Sequence, residues 1–217
     1  MPFLYSRFQL AEPGTWANYS LSGVNSSGLT AFYLGAVGEE TLEGKRHLWY
    51  EWTTVAGRDS NTVKLLVPAD SVFNLKVKRM IVKQAGQEAL EIPFGGLVLE
   101  SLMGQQSAPG IDLKDMASTI EKATEAGLRI ENQGKSTQKI ASKTMETNHF
   151  RLTKENGQVI DLWLSPTVPF FSLFRLSGAG LEVNLSDWGK TGAVSRIGED
   201  YRSLDLKHIM EGLRQLK

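Results

Sequence analysis

Residues 30–55 read TAFYLGAVGEETLEGKRHLWYEWTTV, and the fold turns on how this stretch pairs with itself. Glu43-Gly44 lies between two runs rich in β-branched and aromatic residues. That is the signal of a two-residue turn, so 29–55 is predicted to form one long β-hairpin. A turn there fixes the register. Thr41 faces Arg46, Glu40 faces His47, Gly38 faces Trp49, Val37 faces Tyr50, Ala36 faces Glu51 and Gly35 faces Trp52. The two-residue side-chain period then sorts the hairpin onto two faces. Leu34, Ala36, Gly38 and Glu40 share one face with Thr53, Glu51, Trp49 and His47. Tyr33, Gly35 and Val37 share the other with Thr54, Trp52 and Tyr50. Each tryptophan stands opposite a glycine, which lets a large ring fold over bare backbone and lets the sheet coil sharply. Both faces carry aromatics, so neither is a plain solvent face.

A second turn signal is Asn156-Gly157. As a two-residue turn it sets Phe150 opposite Trp163, Leu152 opposite Asp161 and Lys154 opposite Val159. The aromatic pair is worth about 0.5–1 kcal/mol beyond burial. Both Gly44 and Gly157 are expected at positive φ. Further short strands are predicted at 62–67, 75–82, 88–92, 137–152 and 181–185, separated by turn clusters. Two helices are expected. Over 111–126, Leu113, Met116, Ile120 and Ala123 recur at spacings of three and four, with Asp112 as N-cap and Gly127 as stop. Near the end, Leu206, Ile209, Met210, Leu213 and Leu216 form an amphipathic stripe. Many short antiparallel strands with two helices make a β-rich α+β fold, read as a single domain over 1–217.

The composition limits the function classes. Among 217 residues, Lys+Arg and Asp+Glu each number 24, so the formal net charge is zero. No general electrostatic attraction to nucleic acid or an anionic membrane follows. Hydrophobic content of 41% supports a real core. The chain has no cysteine, hence neither disulfides nor thiolate chemistry. No apolar run approaches a membrane span, and Phe3-Leu4-Tyr5 is too short for a signal-peptide core. A transmembrane protein is not expected, and export would require a signal peptide beyond this chain.

No catalytic motif emerges. Glu40 and His47 are cross-strand partners, but Glu51 lies four residues along the strand from His47, about 13 Å away. One metal ion is not reached by both, so an edge-of-sheet polar pair is expected. His149 and His208 have no carboxylate at ligand spacing. No serine lies in a nucleophile elbow, and Gly178-Ala179-Gly180 lacks the setting of a dinucleotide loop. Lys76, Lys78 and Arg79 form a small basic group, expected on a solvated strand face. The aromatic set is the most informative: Tyr33, Trp49, Tyr50, Trp52, Phe94, Trp163, Phe170 and Phe171 exceed what a one-sided sheet needs. They fit either ordinary core or a concave apolar pocket.

Three stretches carry a resemblance. They are Val37-Gly38-Glu39-Glu40 with Gly44 and Trp49-Tyr50-Glu51, then Trp163-Leu164-Ser165-Pro166-Thr167-Val168-Pro169, then Leu185 to Ile197 with Trp188-Gly189 and Thr191-Gly192-Ala193. Together these resemble a family of bacterial envelope proteins akin to the LolA/LolB-like superfamily of lipoprotein carriers. The resemblance implies a strongly curved antiparallel sheet, an incomplete barrel, with helices on the concave side. It also implies a periplasmic location and binding of something lipidic; residues 94–126 depart most from the pattern. The expectation is a non-enzymatic binding protein without cofactor or metal. Its ligand would be a lipid or a lipoprotein acyl chain, lodged against Trp49, Trp163, Leu34, Phe150, Tyr50, Trp52, Phe94 and Phe170. The alternative is a structural or assembly protein of the envelope that binds another protein through its second apolar face.

Overall fold

The structure is a computed structural model that describes residues 11–23, 28–70, 77–93, 129–140 and 143–203. They form twelve strands: β1 (Trp16–Gly23), β2 (Leu29–Leu42), β3 (Lys45–Ala56), β4 (Asp59–Pro68), β5 (Arg79–Lys83), β6 (Ala89–Pro93), β7 (Arg129–Ile140), β8 (Lys143–Thr153), β9 (Val159–Leu164), β10 (Leu173–Gly178), β11 (Leu181–Gly189) and β12 (Tyr201–Ser203). All join one open sheet in the order β12-β6-β5-β4-β3-β2-β1-β11-β10-β9-β8-β7. Neighbours run antiparallel except β12, which lies parallel to β6.

The expectation of an α+β fold with helices on the concave side is corrected. Among the described residues there is no helix, and the sheet buries its own inner face. Both helical stripes, at 111–126 and 206–216, lie outside the described residues.

The hairpin at 43–44 forms as a two-residue turn. Leu42 pairs with Lys45, and Glu43 and Gly44 take φ of 54° and 73°, as a type I′ turn requires. The register holds as far as Gly38 opposite Trp49. There Val37 bulges out, and the pairs become Ala36 with Tyr50, Gly35 with Glu51 and Leu34 with Trp52. One extra residue exchanges the faces of residues 31–36, up to a second shift between Leu29 and Ala31. Leu34 and Ala36 therefore share a face with Trp52 and Tyr50, and Trp49 stands on the other. Gly35 is covered not by Trp52 but by its own neighbour. A Cβ there would meet the Tyr33 hydroxyl at 2.5 Å.

The second hairpin also differs by one residue. Lys154 N–H donates to the Gln158 carbonyl at 2.9 Å, enclosing the loop Glu155-Asn156-Gly157. Gly157 takes φ of 78°, and the Asn156 side chain accepts the Gln158 N–H at 3.0 Å. A three-residue loop replaces the two-residue one. Phe150 accordingly pairs with Leu162, and Trp163 pairs with His149.

The sheet curls. In a flat sheet β8 would lie three strand spacings from β11, about 14 Å. Yet Lys143 Nζ, at the start of β8, sits 3.2 Å from Asp187 Oδ1 and donates to the Trp188 carbonyl at 2.7 Å. Inside the curl lies the first core: Ala17, Tyr19, Phe32, Leu34, Ala36, Val183 and Leu185, joined by Ile140 and Met145. Tyr19 stacks on Phe32 at 4.5 Å, and its hydroxyl donates to the Leu173 carbonyl at 3.0 Å. The loop between β9 and β10 plugs this core with Val168 and Phe170. Phe170 and Ser172 there adopt φ of 63° and 55°, strained for residues with side chains.

A second core lies on the opposite, outer face: Trp49, Leu66, Ile81 and Ala89 beneath Ile197. Residues 190–200 supply that cover as a strap from the end of β11 across the outer face to β12. Its start is tied by Ala193 N–H to the Gly14 carbonyl at 2.7 Å and by Trp16 Nε1 to the Thr191 carbonyl at 3.0 Å.

Candidate functional site

Alternation along β3, β4, β5 and β6 builds two cross-strand rows on the inner face. Tyr50 pairs with Leu65, Leu65 with Met80, and Met80 with Ile92. Beside them Trp52 pairs with Val63, Val63 with Val82, and Val82 with Leu90. All eight side chains are only partly buried. Each row continues on β2 into buried Ala36 and Leu34 of the first core. The rows combine β-branched Val63, Val82 and Ile92 with Leu65, Leu90 and the flexible Met80, so the surface is apolar. Within it, the Trp52 indole N–H is buried without a hydrogen-bond partner, an unmet donor on an otherwise apolar face. Burial, foremost, pushes the Tyr50 phenol up to about 12, so it stays neutral at physiological pH.

The outer face of the same strands joins the second core to a polar network, in which His47 Nε2 is buried without a hydrogen-bond partner. Arg79 reaches Glu91 at 2.6 Å, Glu40 at 3.1 Å and the Tyr201 hydroxyl at 2.7 Å. Trp49 donates its indole N–H to Glu40 at 3.2 Å, and Lys64 and Arg79 stand over its ring. Burial holds the Lys64 ammonium below its usual range. Glu51 is buried and latches the strap: it accepts Ser195 Oγ at 2.6 Å and Arg196 N–H at 2.9 Å. Glu40 and His47 are cross-strand partners, as the spacing predicts, but Glu40 is engaged by Arg79 and Trp49, while His47 Nδ1 lies against the Lys45 carbonyl.

A third cluster joins β8, β9 and β10. His149 stacks on Trp163 at 4.3 Å, and Arg175 lies over the same indole at 5.0 Å. His149 Nε2 also lies 2.8 Å from Asp161, which binds Arg151 as well. The one-residue register error hid this pair: His149 does have a carboxylate partner. Burial alone would raise the Asp161 carboxyl, but hydrogen bonds from Arg151 and His149 hold it below the usual range.

The residues expected to line the pocket are thus divided. Leu34 and Phe170 are buried in the first core, and Phe170 meets Tyr50 edge-on at 6.2 Å. Tyr50 and Trp52 lie on the inner rows. Trp49 does not share a face with Leu34; it belongs to the second core. Phe150 and Trp163 occupy opposite faces of their strands, and Phe94 lies outside the described residues. Of the basic group, Lys76 lies outside them, Lys78 is exposed and Arg79 is spent on the outer network. The sequence reading missed Val63, Leu65, Met80, Val82, Leu90 and Ile92. Their signal was alternation against Thr62, Lys64, Ala89 and Glu91, obscured in β5 by apolar residues on both faces.

These features define an all-β sheet in the described residues, self-packed over β1, β2, β10 and β11 and partly open on the inner side of β3–β6. No protein family profile matches the chain, and no curated protein matches it. Among solved structures, the crystal structure of MucB is similar at 11% identity and a TM-score of 0.41, over 91% of this chain and 62% of MucB. The chain therefore spans less than two thirds of that protein. Among the described residues, no helix is long and apolar enough to cross a membrane. No group of three or more His, Asp or Glu among them is placed to hold a metal ion.

Proposed function

We propose that this chain is a non-enzymatic, extracytoplasmic binding protein that holds an apolar, lipid-like ligand against the inner face of β3–β6. The supporting observation is the pair of half-buried rows, Tyr50-Leu65-Met80-Ile92 and Trp52-Val63-Val82-Leu90. Each row crosses three strand spacings, about 14 Å, a span that suits an extended acyl chain. At most about a third of such a side chain is exposed, and covering it contributes up to about 1 kcal/mol. Eight of them set up to about 8 kcal/mol against an association cost of several kcal/mol, which leaves affinity in the millimolar range.

The test is native mass spectrometry after mild purification, followed by titration of a fluorescent fatty-acid probe into wild type and Val82→Asp. A co-purifying lipid and saturable probe binding that Val82→Asp abolishes support the proposal. A ligand-free dimer with a flat titration would reject it in favour of the protein-binding reading.

A further inference from the structure

On the outer face, between β1, β2 and the strap, lies a cleft of about 330 Å³ lined by Trp16, Asn18, Tyr33, Val194, Ser195 and Arg196. We propose that this cleft binds a small oxyanion, a carboxylate or phosphate monoester carried on a compact, flat apolar body.

The anchor is Arg196. Its guanidinium carbon lies 4.5 Å from the centre of the Tyr33 ring. Tyr33 itself is fixed: it is 7% exposed, and its ring lies over Gly35, where any Cβ would collide with it. The Arg196 backbone N–H is also pinned, donating to buried Glu51 at 2.9 Å and 3.1 Å. Both the platform and the base of the side chain are thus set before any ligand arrives. Among the described residues, the guanidinium makes no ion pair and has the Tyr33 ring as its partner. A guanidinium held over an aromatic face and outside any ion pair has N–H donors left for a carboxylate or phosphate.

The surroundings complete the ligand's description. The Asn18 amide makes no hydrogen bond among the described residues, so a second donor faces the cleft. Trp16 spends its indole N–H on the Thr191 carbonyl and offers the cleft an apolar ring. Val194 is 73% exposed, a large apolar side chain at the surface beside a free cation. Glu51 makes no ion pair with the Arg196 guanidinium; its carboxylate accepts from Ser195 Oγ and the Arg196 backbone N–H. A few convergent polar groups on an apolar wall are the usual make-up of a small-molecule site.

The probes are benzoate and phenyl phosphate, with benzamide as the uncharged control, titrated into 15N-labelled protein. The expected result is a saturable shift of the Arg196 Nε–H and Trp16 indole signals with one or both anions and none with benzamide. The stronger anion identifies the headgroup chemistry. Arg196→Gln should abolish the Trp16 shift and Arg196→Lys should weaken binding about tenfold. Asn18→Ala, which leaves the Arg196 platform intact, should weaken it several-fold. Linear, non-saturating shifts, equal shifts with benzamide, or an unchanged titration in Arg196→Gln would overturn the proposal. The inner-face variant Val82→Asp should leave this titration unaltered, so the two sites fail or stand separately.

Discussion

Trp49→Ala should cost stability and spare ligand binding. Trp49 is 8% exposed and packs against Leu66, Ile81, Ala89 and Ile197. Removing a buried aromatic of this kind costs about 3–5 kcal/mol. Its indole N–H bond to Glu40 at 3.2 Å and the cations 5.1 Å and 5.3 Å from its ring place it at the upper part of that range. Trp49→Phe keeps most of the packing but leaves Glu40 one donor short, at about 1–2 kcal/mol. Urea denaturation followed by far-ultraviolet circular dichroism measures both. A domain of ordinary stability, about 5–15 kcal/mol, still leaves enough folded Trp49→Ala for a probe titration in the cold. Because Trp49 faces away from Tyr50 and Trp52, the dissociation constant of the fatty-acid probe should change less than twofold. A stability loss below about 1 kcal/mol, or a tenfold loss of probe affinity in folded protein, would refute this division of the two faces.

Glu51→Ala leaves the Arg196 N–H without its acceptor, at about 1–3 kcal/mol, while the Ser195 hydroxyl keeps the Ile197 carbonyl at 2.7 Å. Trypsin should then cut after Arg196 faster than in wild type, and equal rates would show that Glu51 does not hold the strap. Gly44, at φ of 73°, should tolerate asparagine, whereas Gly44→Val should lower the melting temperature through backbone strain of about 1–3 kcal/mol. Equal melting temperatures for the two variants would contradict the turn assignment. Asp161 is held below its usual range, so its contribution is present above the unfolded value of about 3.9 and is lost as pH falls through the lower folded value. Asp161→Asn should therefore flatten the acid limb of the stability curve below about pH 4, and an unchanged slope would place that loss on other carboxylates.

The turns were legible in the sequence because glycine at positive φ is a local requirement, met at both Gly44 and Gly157. The faces were not. A single bulged residue, Val37, reverses the side chains of residues 31–36, and its local hint was Gly38 within a strand. At Asn156-Gly157 the residue pair marked the turn but did not distinguish a two-residue from a three-residue loop. That ambiguity moved His149 onto Trp163 and into reach of Asp161. The strap was unreadable because it depends on long-range pairing: Glu51 meets Ser195 and Arg196 across most of the chain. An apolar surplus was visible in the aromatic residues. That Trp49 belongs to one core while Tyr50 and Trp52 border another follows only from the bulge.

The most direct test of apolar binding on the inner face is calorimetric titration of a medium-chain fatty acid at three temperatures. Binding to the rows of β3–β6 predicts saturation with a heat-capacity change that is negative, the mark of apolar burial. It should be retained in Trp49→Phe and lost in Val82→Asp. Absence of saturable heat at all three temperatures, or the same heat-capacity change in Val82→Asp, would contradict it.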